Sequence, residues 1–173
     1  MKDEPIDYLE FGVFRGDSIR EWTTLSSSTH SRFYGFDTFT GLPEKWFKDF
    51  DKGAFNVGGN VPDISDLRVT FANGTFQDTL ENFLNNFGRR NRFVIHIDAD
   101  LYSSTLFVLL SMHHHLMKGD IIMFDDFLAP IGEFMAFRNY CQAFRIKTEL
   151  ISAVKYVGLF DKASFMVKST EEK

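Results

Sequence analysis

The chain's 173 residues suffice for one domain with a continuous core, so neither disulfides nor a structural metal is needed to hold it, and its single cysteine, Cys141, has no internal partner. A formal net charge of −5 without a basic run speaks against a nucleic-acid partner, and apolar stretches such as Leu106 to Leu110 fall far short of the about 20 residues a membrane-spanning helix needs. With no basic, apolar leader, the expected compartment is a reducing cytoplasm.

Short apolar runs alternate with amphipathic stretches, the pattern of strands feeding crossover helices. Ile6 to Phe11 reads as a strand, followed by a glycine-containing turn and a helix over Ser18 to Leu25 with Asp17 as its N-cap. Arg32 to Phe36 is the second strand. Residues 38–65 are rich in Gly, Pro and Asp with scattered aromatics, too long for an ordinary connection and therefore a candidate lid. Most of the 21 phenylalanines read as core, those between Phe39 and Phe55 excepted. Leu67 to Phe71 is a third strand, Asn73-Gly74 a turn, and Phe76 to Phe87 a helix with Leu80, Phe83, Leu84 and Phe87 on one face. Strand four spans Phe93 to Ile97, a helix Thr105 to Met117 with Gly119 as its stop, and strand five Asp120 to Phe124. Ile131 to Phe144 is the last helix. Lys147 to Ile151 and Phe165 to Val167, with Lys155 to Phe160, close the sheet as a hairpin. The expected fold is one α/β domain over residues 1–173: a doubly wound, mostly parallel sheet with ligands beyond the carboxyl ends of its strands.

Three features at those ends suggest chemistry. In Glu10-Phe11-Gly12-Val13-Phe14-Arg15-Gly16-Asp17-Ser18 a strand passes through two glycines into a helix, where backbone can approach a ligand and helix amides are on offer. Phe14 stands where a dinucleotide fold has its middle glycine, which counts against a pyrophosphate over this turn. Asp37, with Thr38 after it, ends the second strand, where an acid commonly accepts hydrogen bonds from ribose hydroxyls. The strongest constellation is His96-Ile97-Asp98-Ala99-Asp100 with Asp125-Asp126: four carboxylates at two strand ends, with strand alternation placing Asp98 and Asp100 on one side. Like charges so close need a proton or a cation, and oxygen-only ligands suit a hard divalent ion such as magnesium. His113-His114-His115 cannot converge on one ion, because consecutive helical residues point about 100° apart, and Cys141 reads as packing.

Together these residues resemble the macrocin O-methyltransferase family, whose relatives include sugar O-methyltransferases of macrolide and aminocoumarin antibiotic pathways. The resemblance runs from about Tyr8 to Asp126 and is carried by Glu10 to Ser18, Gly35 to Glu44, Gly74 to Leu80, Ile97 to Thr105 and Gly119 to Asp126. It implies a Rossmann-like class I methyltransferase fold of seven strands with an antiparallel C-terminal hairpin, S-adenosylmethionine as methyl donor, Mg²⁺ or another divalent cation, and as acceptor a small-molecule hydroxyl, that of a sugar or sugar-containing metabolite. By the same resemblance Glu10, Gly12, Phe14, Gly16 and Ser18 would shape the methionine pocket, Asp37 and Thr38 the ribose site, and Gly74, Thr75 and Phe76 the adenine side. Asp98, Asp125 and Asp126 would hold the metal, Asp98 also lining the cofactor, and Asp100 would be the general base. Family members carry helices before the first strand, whereas about six residues precede it here, so the expectation is either a minimal version of the fold or a neighbouring subunit, as in a homodimer, that supplies the missing roof. Competing readings are a metal-dependent glycosyltransferase using Asp98-Ala99-Asp100, a non-catalytic nucleoside-binding protein, and an NAD-dependent oxidoreductase.

Overall fold

The computed structural model describes residues 3–47, 49–127, 132–156 and 159–170. The chain falls into two compact units, Met1–Asn91 and Arg92–Lys173. Seven strands make a mixed sheet in the order β3-β2-β1-β4-β5-β7-β6.

The first unit carries β1 (Ile6–Phe11), α1 (Asp17–Leu25), β2 (Arg32–Asp37), β3 (Val69–Asn73) and α2 (Phe76–Asn86). Its strands are parallel, Glu10 facing Gly35 and Gly35 facing Phe71. Every residue of β1 is buried, as a strand covered on both faces requires, and two of them are acids. Asp7 is held by the Arg32 guanidinium at 2.7 and 2.8 Å, by the backbone N–H groups of Arg90 and Asn91, and by Asn91 Nδ2. Burial works to raise its pKa, yet these donors bring it below the usual carboxylate value. Glu10 accepts a hydrogen bond from the Tyr8 hydroxyl. Gly35 has a packing reason the sequence did not disclose: a Cβ there would come within 2.7 Å of the Phe71 ring.

Three boundaries differ from the sequence expectation. Gly16, in the left-handed region at φ 78°, is the N-cap of α1, so Asp17 is its first helical residue and not its cap. Strand three begins at Val69, because Asp66 and Arg68 first form a side-chain-closed turn whose guanidinium donates to the carbonyls of Thr23, Ser26 and Ser28. Leu67 is thereby left facing solvent. Thr75 caps α2, accepting from Asp78 N and donating to Asp78 Oδ2.

The second unit carries β4 (Arg92–Ile97), α3 (Tyr102–Met112), β5 (Ile121–Phe124), α4 (Glu133–Phe144), β6 (Lys147–Tyr156) and β7 (Leu159–Ser169). β4 and β5 are parallel, while β7 lies antiparallel to both β5 and β6, which gives the expected C-terminal hairpin. α3 starts three residues earlier than the sequence suggests and gives way at His113–His115 to a 3-10 turn. His113 packs on Phe144 at 4.4 Å and shares a 2.9 Å hydrogen bond with the Tyr140 hydroxyl, a packing role in line with expectation. Burial pushes the Cys141 thiol up to about 12, which fits a packing residue. Ile131, the expected start of the last helix, lies outside the described residues. Among the described residues no helix is long and apolar enough to cross a membrane.

The long connection after β2 is tied to the first unit. Phe39 is fully buried, against the expectation that the aromatics here avoid the core, and its carbonyl accepts from Val57 N and Gly59 N. Trp46, Phe47, Phe50 and Phe55 cluster on one another, and Phe55 meets Phe14 edge-on at 6.0 Å. Gly41, at φ 90°, is where the loop folds back: Leu42 N donates to Ala54 O, and a Cβ on Gly41 would sit 2.3 Å from that oxygen. Gly41→Ala should therefore destabilise the protein by about 1–3 kcal/mol in urea unfolding and open residues 42–55 to limited proteolysis; unchanged stability and cleavage would show that the fold-back is not needed.

Candidate active site

In the first unit the ends of β1, β2 and β3 are drawn together by one residue, through its side chain and its carbonyl. Asp37 Oδ2 accepts from Val13 N at 2.7 Å and Phe14 N at 2.8 Å, Oδ1 accepts from Phe39 N at 2.7 Å, and the Asp37 carbonyl accepts from Gly74 N at 3.0 Å. Three of the roughly four acceptor positions of a carboxylate are thus occupied by backbone. Asp37 thereby shapes the glycine turn.

The other expected cofactor residues have roles that can be read directly. Gly12 turns at φ 93° and donates to Phe36 O, and Gly16 admits Pro62, whose Cβ would lie 2.9 Å from a Cβ on that glycine. The tight approach at Gly16 is therefore to the loop of its own chain. Phe14 is 36% exposed in a left-handed conformation, with the Arg15 guanidinium 4.9 Å from its ring centre. Ser18 lies in the first turn of α1 and is half-buried. Thr38 donates to Gly41 O, Thr75 caps α2, and Phe76 packs edge-on against Phe11 at 5.4 Å.

In the second unit Asp98, Asp100 and Asp126 each bring a carboxylate oxygen within 4.8 Å of the others. The reason differs from strand alternation. β4 ends at Ile97, and the chain then makes a tight turn centred on Asp100 at φ 59°, with Leu101 N donating to Ala99 O. That turn aims Asp100 inward and launches α3. Asp100 is nearly buried, and burial, a hydrogen bond with Asp126 and the charges of Asp126, Asp98 and Asp125 push its pKa up to about 8. Burial also raises Asp126.

Asp125 does not gather with these three. It lies 2.5 Å from Lys162 Nζ and 3.5 Å from His96 Nε2; burial opposes its ionisation, but these partners hold its pKa down at about 2. Its backbone N–H donates to Ile97 O, tying the ends of β4 and β5. Three acidic oxygens at this spacing, two of them on groups raised in pKa chiefly by burial and further by neighbouring charge, form a hard donor set that fits a divalent cation. His96, Lys162 and the fully buried Glu133 were not assigned roles from sequence. Glu133 Oε1 accepts from Ala99 N at 3.0 Å and Oε2 from Asp126 N at 3.1 Å, and nothing in an acid opening a helix distinguishes it from a routine first-turn residue.

The chain belongs to a methyltransferase family: the model of the family described as "Methyltransferase domain" matches residues 9–127. Solved structures share the fold. CalS11, a calicheamicin methyltransferase also described as TDP-rhamnose 3'-O-methyltransferase, aligns with a TM-score of 0.72 and 22% identity over 94% of this chain and 72% of its own. The O-methyltransferase NovP aligns at 0.68 and 22% identity, over 96% and 73% of the two chains. An O-methyltransferase from Bacillus cereus, solved with SAH, aligns at 0.61 and 17% identity, over 94% and 74%. No curated protein matches the chain at significant similarity.

The raised acid pair has a consequence for stability. An unfolded Asp ionises near about 3.9. In the ion-free fold Asp100 keeps its proton up to about 8, so across that interval the folded state binds more protons and stability falls as pH rises. Asn tolerates the left-handed backbone at position 100 and carries no charge to repel. Asp100→Asn should be about 1–3 kcal/mol more stable than the parent at pH 8 in chelator, with the gap closing toward pH 4; equal urea midpoints at both pH values would contradict the crowding.

Proposed function

We propose that this methyltransferase transfers the methyl group of S-adenosylmethionine to a hydroxyl of a small molecule, a sugar or sugar-bearing metabolite, with the help of a divalent cation such as Mg²⁺. The observation that carries this reading is the convergence of Asp98, Asp100 and Asp126 in a chain of this family. The names of CalS11 and NovP support oxygen as the acceptor atom and, for CalS11, a sugar; the motifs from Glu10 to Asp126 resemble those of the macrocin O-methyltransferases.

Methyl transfer from a sulfonium is an in-line displacement, so the protein's task is alignment, exclusion of water and removal of one proton. The first unit supplies the donor's seat: Asp37 fixes the turn from Gly12 to Phe14, offers its remaining acceptor capacity to the ribose, and ties the Gly74 turn alongside. In the second unit Asp98 and Asp126 would hold the cation with Asp100 beside them, and Asp125 would join on leaving Lys162. A cation there supplies charge that makes a nearby hydroxyl more acidic. Positive charge beside Asp100 would favour its ionised form, and that carboxylate takes the hydroxyl proton.

Calorimetric titration with S-adenosylhomocysteine and with Mg²⁺, followed by transfer of labelled methyl from S-adenosylmethionine to a panel of nucleotide sugars and glycosides, tests the reading. Asp98→Ala should abolish both Mg²⁺ binding and transfer, whereas Asp100→Asn should keep S-adenosylhomocysteine binding and lose turnover by about 10²-fold or more. Failure to bind S-adenosylhomocysteine, or transfer undiminished by chelator, would overturn the cofactor or the cation respectively.

A further inference from the structure

Glu133 is fully buried at the start of α4 and carries an acid into the neighbourhood of three others. Its carboxyl is raised well above the usual value by burial and by the charges of Asp98 and Asp126, against the pull of its two backbone donors. Burying an acid beside other acids is costly, and here the cost is offset only through its hydrogen bonds. What the carboxyl group offers, with or without its proton, is two oxygens on a rigid fork, each placed to accept a backbone N–H. One takes the N–H of Ala99, the residue between Asp98 and Asp100, and the other takes the N–H of Asp126. A glutamine could accept at one oxygen but would turn an N–H donor toward the second N–H.

We propose that Glu133 is a positioning residue for the acid cluster: its two oxygens pin the turn after β4 and the turn after β5 in the one register that brings Asp98, Asp100 and Asp126 to a common point. The pinning stands on the two hydrogen bonds themselves, while its consequence for cation binding rests on the function proposed above. In this role Glu133 is not itself a ligand; it acts through the main chain of Ala99 and Asp126. Removing such support for metal ligands typically weakens affinity by about 10–100-fold.

The test uses the full chain with Glu133→Gln and, in case that variant folds poorly, Glu133→Asp, whose shorter stem cannot span both donors. Mn²⁺ alone is titrated calorimetrically, S-adenosylhomocysteine is titrated separately, and hydrogen exchange of the Ala99 and Asp126 amides is followed by NMR in chelator. Expected are Mn²⁺ affinity weakened about tenfold or more, S-adenosylhomocysteine affinity unchanged, and exchange at one or both amides faster by on the order of tenfold. Uniform loss of both affinities would point to general loosening and overturn the positioning role. So would amides as well protected in both variants as in the parent. If the parent itself binds no Mn²⁺, the cation reading fails, and the exchange rates still decide the pinning: acceleration upholds it, unchanged protection refutes it.

Discussion

Negative charge concentrated where water is scarce is the constraint from which the second unit's architecture follows. Asp98, Asp100 and Asp126 would separate if the chain were free to relax, and each turn that carries them is held against that tendency by a backbone hydrogen bond: Leu101 to Ala99, Asp125 to Ile97, Ala99 and Asp126 to Glu133. The repulsion is met by the raised pKa values of Asp100 and Asp126, which favour their neutral forms, and by giving Asp125 the Lys162 ammonium and the His96 ring as partners. A site built in this way is preorganised for positive charge: the electrostatic work of gathering the acids is done during folding.

The same device recurs. Asp7 gathers Arg32 and the amides before β4, Asp37 gathers three amides at the ends of β1 and β2, and Asp120 takes the amides of Phe93 and Met117. A buried carboxylate with several N–H donors is well satisfied, and it fixes loops that a purely apolar core would leave to slide.

Sequence carried the fold because each strand is a short apolar run bounded by turn residues, and β1, β2, β4 and the C-terminal hairpin are legible on that basis alone. Boundaries slipped where side chains close turns: Arg68 reaching three carbonyls delayed β3, and the left-handed residue at 100 advanced α3. The acid cluster was legible as four aspartates at two strand ends, but which three would meet depended on a backbone turn and on Lys162, brought alongside by β7, far away in sequence. Glu133 was illegible for the same reason: its partners are amides, which every residue but proline carries.

The last strand pair has a consequence for the folded chain's solubility. β6 displays Leu150, Ile151 and Val154 to solvent, the sort of rim on which foreign strands can be templated. Its register with β7 slips at three places, and Lys168 bridges to Glu149 across it. Broken ladders and embedded charge deny an incoming strand the even row of partners that fibril growth requires, so the rim can stay greasy without becoming a nucleus.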